Sequence, residues 1–208
     1  MFKIKTENTV DNLAKLVVEP LDAGFGHTLG NSLRRVSLTS LEGCAVTSVK
    51  IDGVSHQFST IDGVSEDVIE IILNIKKMRV KVHSDKPIKL TLKASGKKEV
   101  KASDFDVLGE GEIVNGDQHI ASLTDSKAKF NMELTAQKGK GYQVAEENQN
   151  KGELGVIAVD ALFSPVISVN YTVEPTRVGR STDFDKLILD ITTDGVVTPL
   201  EALNEAAK

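Results

Sequence analysis

The sequence has no tryptophan, a single cysteine and few aromatic residues, 4% in all. A core built from it must therefore be aliphatic, packed from valine, isoleucine and leucine. One thiol, Cys44, allows no internal disulfide and no cysteine-built zinc site. His27, His56, His83 and His119 lie far apart, without the close spacing of a metal-ligand pair. Positive charge is not in excess: 25 Lys and Arg stand against 30 Asp and Glu, a net charge of −5. The pI near 5.5 argues against a free-standing nucleic-acid binder, whose pI usually exceeds about 9. No apolar run approaches the roughly 18 residues of a membrane span, and the N-terminus, MFKIKTENTV, lacks the apolar segment of a secretory signal. These absences point to a cytoplasmic chain with no membrane contact, no cofactor and no metal.

What is present is alternation at period two, the mark of half-buried strands. Phe130, Met132 and Leu134 alternate with Lys129, Asn131, Glu133 and Thr135. Ile167, Val169, Tyr171 and Val173 alternate with Ser168, Asn170, Thr172 and Glu174. Met78, Val80 and Val82, then Ile88, Leu90 and Leu92, follow the same rule, as do Leu187, Leu189 and Ile191. Leu154–Leu162 is mostly apolar and reads as a more buried strand. His56, set among apolar neighbours, reads as a strand residue.

Three segments have helical signals. The spacing predicts a helix over Thr28–Leu41, with Thr28 as N-cap, Leu29, Leu33, Val36 and Leu41 roughly on one stripe, and Gly43 past its end. A second runs over Glu66–Lys77, capped by Ser65, with acidic residues in its first turn and Lys76 and Lys77 in its last. Thr198-Pro199-Leu200-Glu201 is a capping box with proline at the first helical position. The helix it opens has run only about ten residues at Lys208, a length marginal without a partner or further turns. Helices near the ends with strands between them predict an α+β protein with an inserted β-rich region.

No catalytic constellation stands out. Gly24-Phe25-Gly26-His27-Thr28-Leu29-Gly30 precedes a helix, so a phosphate- or nucleotide-binding enzyme using the Gly24–Gly30 turn is one reading. The P-loop lysine is absent and the third glycine comes one residue late for the dinucleotide fingerprint. The other reading is a turn that lets backbone pack closely. Arg34 and Arg35 point about 100° apart on their helix, so they form no single clamp. They make either a solvated face or, through one of them, an interface anchor. Asp104, Asp106, Glu110 and Glu112 read as a solvated acidic stretch, and Cys44 as a small buried hydrophobe. Gly139-Lys140-Gly141-Tyr142 is a basic turn with one aromatic, followed by a polar, exposed stretch at Glu146–Lys151.

The same residues carry a resemblance to a known family. Glu19-Pro20-Leu21 followed by Gly24 through Arg35 is similar to the signature of the bacterial RNA polymerase alpha subunit N-terminal domain. Further matches come in the family's order: Ala45-Val46-Thr47, Ile51-Asp52-Gly53-Val54, Phe58-Ser59-Thr60, Glu66-Asp67-Val68 with Leu73-Asn74, Gly139 through Tyr142, Ser164-Pro165-Val166 and Thr182 through Leu187. Archaeal and eukaryotic counterparts share the Leu-Gly-Asn-x-Leu-Arg-Arg core, and the later motifs favour the bacterial form. Residues before Glu19 match only loosely.

The resemblance implies a discontinuous dimerisation subdomain over 1–42 and 170–208 and an inserted β-rich subdomain over 43–169. It implies a non-catalytic subunit that forms a homodimer, or a heterodimer with a second alpha, and assembles the beta and beta-prime subunits. By position, Arg35 and Leu38 become beta-subunit contacts, and Lys76 and Val166 fall in segments that meet the large subunits. Leu29, Leu33, Val36, Leu200 and Leu203 become the dimer helix pair. The family continues the last helix past the point where this sequence stops, then adds a linker and a DNA-binding C-terminal domain, so no direct DNA contact is expected from these 208 residues.

Overall fold

The computed structural model describes residues 3–10, 12–148 and 155–208, with backbone alone at 8 and 9. Leu154 and residues 149–151 of the expected polar stretch lie outside the described residues. In chain order the elements begin with β1 (Lys3–Val10), β2 (Leu13–Asp22), α1 (Phe25–Thr39), β3 (Glu42–Ile51) and α2 (Val68–Lys76). Next come β4 (Val80–Val82), β5 (Ile88–Ser95), β6 (Lys98–Lys101), β7 (Asp106–Leu108), β8 (Gly111–Ile113), β9 (His119–Leu123) and β10 (Lys129–Lys140). The chain ends with β11 (Tyr142–Gln143), β12 (Val156–Ala158), β13 (Ala161–Leu162), β14 (Val166–Val178), β15 (Ser181–Thr193) and α3 (Pro199–Ala206). The mixture is α+β. It divides into two compact units, 1–42 with 164–208, and 43–163. A return to the first unit at 170 would cut through β14, which is continuous from Val166; the division falls ahead of that strand instead.

The first unit is an antiparallel sheet of order β1-β2-β15-β14, with α1 and α3 against it. Register places side chains in rows across three strands. Val18, Leu187 and Val173 make one row, Leu16, Leu189 and Tyr171 the next, and Ala14, Ile191 and Val169 a third. Leu16, Leu187, Leu189 and Ile191 are fully buried, and Leu33, Ala202 and Leu203 from the helices complete the core. The strand period of two produces this: every second residue faces the helices.

Helix α1 turns Gly26, Gly30, Leu33 and Ser37 inward, a stripe spaced by four, three and four residues. Two of the four have no side chain. A Cβ on Gly30 would come within 2.6 Å of Tyr171 Cδ2, and one on Gly26 within 2.6 Å of Val173 Cγ1. The helix backbone therefore lies directly on β14. Helix α3 begins as its sequence predicts, with Thr198 Oγ1 accepting from Glu201 N–H and Glu201 Oε2 accepting from Thr198 N–H at 2.9 Å.

The second unit has a sheet of order β12-β3-β10-β5-β7 and three two-stranded ribbons, β4 with β8, β6 with β9, and β11 with β13. Phe130, Met132, Leu134 and Ala136 of β10 sit opposite Ala94, Leu92, Leu90 and Ile88 of β5. All eight are buried, and they share one core with Val68, Ile71, Ile72 and Ile75 of α2. Helix α2 starts later than its pattern suggested: Asp67, not Ser65, is the N-cap and accepts from Glu70 N–H at 2.7 Å. Glu66 is drawn out of the helix by β9, where its Oε2 accepts from Ser122 N–H at 2.7 Å. The expected strand over Leu154–Leu162 is instead two short ones, β12 on β3 and β13 on β11. His56 lies in an exposed bend after β3 rather than in a strand.

The contact between α1 and β14 sets a test. Gly30→Ala should destabilise the protein by about 1–3 kcal/mol, the usual cost of overpacking. Ser32→Ala, on the exposed side of the same helix, should stay within about 0.5 kcal/mol. Thermal unfolding of the two variants checks the difference.

Candidate functional site

The glycine-rich turn before α1 already holds an anion, and it is the chain's own. Gly24 turns the chain with φ at +85°, a conformation glycine adopts without strain. Its N–H donates to Asp185 Oδ2 at 2.8 Å, and the Gly26 N–H donates to the same oxygen at 3.1 Å. A carboxylate from β15 thus sits at the positive end of the helix, where a phosphate would bind. Gly26 and Gly30 are glycines because β14 lies against them. The reading as a phosphate- or nucleotide-binding enzyme is overturned on this geometry. The start of α1 is corrected too: it is Phe25, capped through Asp185, and Thr28 lies inside the first turns. Nothing near Gly24 in sequence signals that cap, since Asp185 is 161 residues away.

With its inner stripe committed to the sheet, α1 shows a different face outward. Phe25, Ser32 and Val36 are exposed along one flank, with Leu29 half-buried beside them. Arg34 and Arg35 are exposed as well, and Leu38 is half-buried one turn beyond. On α3, Leu200 points outward while Leu203 is buried. The expected dimer residues therefore split by position. Leu33 and Leu203 belong to the unit's own core, and Leu29, Val36 and Leu200 retain exposed surface. Val166, expected at a large-subunit contact, is buried in the same core; the side chain exposed there is Ile167, at 60%. The structure brings Arg35 and Leu38 together on one helix.

Lys76 lies in the second unit, at the end of α2, and pairs with Asp160 at 3.1 Å. Asp160 had no distinguishing pattern in sequence, and neither did the charged group at the start of α2. There His119 meets Glu66 Oε1 at 2.9 Å through Nε2 and Glu99 Oε1 at 3.1 Å through Nδ1. Burial pushes the Glu66 carboxyl up, but the Ser122 amide and the His119 ring outweigh it and leave the group below its ordinary range. Lys76 is the first cause holding the Asp160 carboxyl low, followed by the Ala145 amide. Asp104 is also held low, mainly by the Lys101 amide, so the acidic stretch around it is partly structural. Cys44 is half-buried, and its Sγ accepts from Val82 N–H. Among the described residues no three His, Cys, Asp or Glu side chains are placed to hold a metal ion. No helix among them is long and apolar enough to cross a membrane.

Residues 49–164 match the family profile of the RNA polymerase Rpb3/RpoA insert domain. The DNA-directed RNA polymerase subunit alpha of Oenococcus oeni is 51% identical over 99% of this chain and 66% of its own length. That of Herpetosiphon aurantiacus is 48% identical over 100% of this chain and 62% of its own. That of Symbiobacterium thermophilum is 51% identical over 100% of this chain and 67% of its own. The chain thus spans about two thirds of the length of these relatives, slightly less for the first two.

The carboxylates predict the acid response. Glu66 and Asp160 have folded values below their unfolded ones, so their stabilisation is complete above the unfolded values. It is lost as pH falls through the folded values. Thermal stability should be flat above roughly pH 5 and decline below roughly pH 4. Glu66→Gln should flatten that decline in melting curves recorded across the range.

Proposed function

The chain belongs to the family of bacterial DNA-directed RNA polymerase alpha subunits, and we propose that it acts as a dimerising scaffold on which the beta and beta-prime subunits assemble in the cytoplasm. The observation that carries this is similarity at about half identity along the whole chain, through both of its units. In this role it contributes no group to nucleotidyl transfer. It supplies surfaces.

The architecture supports such a role physically. A helix that has buried one stripe in its own core has satisfied its folding requirement. Apolar residues left on its outer flank then need another explanation. Phe25, Val36 and Leu200 are the outward residues, and a second copy presenting the same flank about a two-fold axis would cover them. Leu33 and Leu203 serve the dimer indirectly, by seating α1 and α3 on the sheet. Arg35 beside Leu38 gives the beta subunit a guanidinium next to an apolar contact, a pairing common at interface hot spots. The segment at Val166 would meet a large subunit through Ile167, and the second unit through Lys76.

Capture by the beta subunit tests the assignment. Arg35→Ala should reduce the chain retained by immobilised beta by about tenfold or more. Its thermal midpoint should stay that of the parent, because Arg35 is exposed. Unchanged capture would remove Arg35 from the interface.

A further inference from the structure

Lys76 and Asp160 differ from an ordinary surface ion pair in how the carboxylate is held. Asp160 lies between β12 and β13. Its Oδ2 accepts from Lys76 Nζ at 3.1 Å while its Oδ1 accepts from the Ala145 N–H at 3.0 Å. The two side chains are 35% and 38% exposed. Beside them Tyr142 of β11 faces Leu162 of β13 across their ribbon, and both side chains are exposed, at 60% and 58%. All four residues line one recess of about 220 Å³, whose buried lining includes Val46 and Met78.

A half-exposed ion pair contributes little to folding. Its effect here is on direction. A lysine ammonium on a four-carbon stem samples many positions, and restricting it upon association costs affinity. A carboxylate clamped to the backbone by one oxygen can hold that ammonium in place with the other. The result is a cation of fixed position lining a recess with exposed apolar walls, which Arg79 lines as well. Tyrosine is enriched at interface hot spots, which cluster in pockets.

We propose that Asp160 is a positioning residue for the large-subunit contact of Lys76, presenting the ammonium beside the Tyr142–Leu162 pair to an acidic side chain of the beta or beta-prime subunit. This rests on the reading of Lys76 as such a contact. The Asp160 carboxyl is held below its ordinary range, first by Lys76 and then by the Ala145 amide.

Capture of the full chain by the beta and beta-prime subunits tests it with three variants. Lys76→Ala should weaken capture by about tenfold, and Asp160→Asn by about threefold to tenfold. The double variant should be no weaker than Lys76→Ala alone, because the two act through one ammonium. Asp160→Asn combined with Arg35→Ala should instead multiply the separate losses, and the loss from Asp160→Asn should shrink at high salt. The thermal midpoint of Lys76→Ala should move little, since a half-exposed ion pair contributes little to folding. If Asp160→Asn lowers the midpoint, Asp160→Glu, which keeps the charge and displaces it, carries the same comparison. Lys76→Ala weakening capture while Asp160→Asn leaves it unchanged, or effects that multiply in the double variant, would overturn the positioning role alone. Unchanged capture by Lys76→Ala would overturn the underlying interface reading, and the positioning role with it.

Discussion

The first unit depends on how closely α1 approaches β14. A helix carrying ordinary side chains stands off a sheet by their length. Here Gly26 and Gly30 remove that spacer, and side chains of β14 and β15 occupy the space a Cβ would need. Asp185 then fixes the helix end by accepting from two of its N–H groups. Everything α1 can offer to another molecule follows from this seating. Its inner stripe is consumed by the sheet, so Phe25, Val36, Arg34 and Arg35 are left outward.

The second unit is held differently. Several of its strands are only two or three residues long, too short to be stable as isolated ribbons. Side-chain clasps between distant segments do part of the work. Glu66 ties the start of α2 to β9, and Asn115 accepts from Arg79 N–H while donating to the Lys77 carbonyl. Asp160 joins the end of α2 to the segment after β11. Each clasp satisfies backbone groups that a longer ladder would otherwise pair.

Local pattern in the sequence carried much of this. The alternation in β10 and β15 matched the inward faces, and that of β14 did so from Val169 to Val173 but not at Ile167, which a register shift turns outward; the Thr198 capping box matched the start of α3. Signals that failed were those overridden by distant partners. Thr28 and Ser65 are good N-cap residues, yet Gly24, held by Asp185, and Asp67 take the positions, because the Asp185 bonds fix the start of α1 and the Glu66–Ser122 bond keeps Glu66 out of α2. The glycines of the Gly24–Gly30 turn offered two readings, anion binding and close packing, and only the residues across the sheet decide between them. For the candidate surface, Arg35 was visible as a charge on a helix. Asp160 and the outward position of Ile167 were not, since neither a fixed carboxylate nor a side chain's exposed face has a local sequence mark.

The central claim is that α1, once anchored, presents its outer flank to a second copy of the chain. Sedimentation velocity of the chain beside its Val36→Glu variant tests it most directly. The account predicts a species of about 45 kDa, twice the chain mass of 22.4 kDa, for the parent. It predicts a single chain of unchanged helical content for the variant. A parent that sediments as one chain at every concentration, or a dimer indifferent to Val36→Glu, would contradict it.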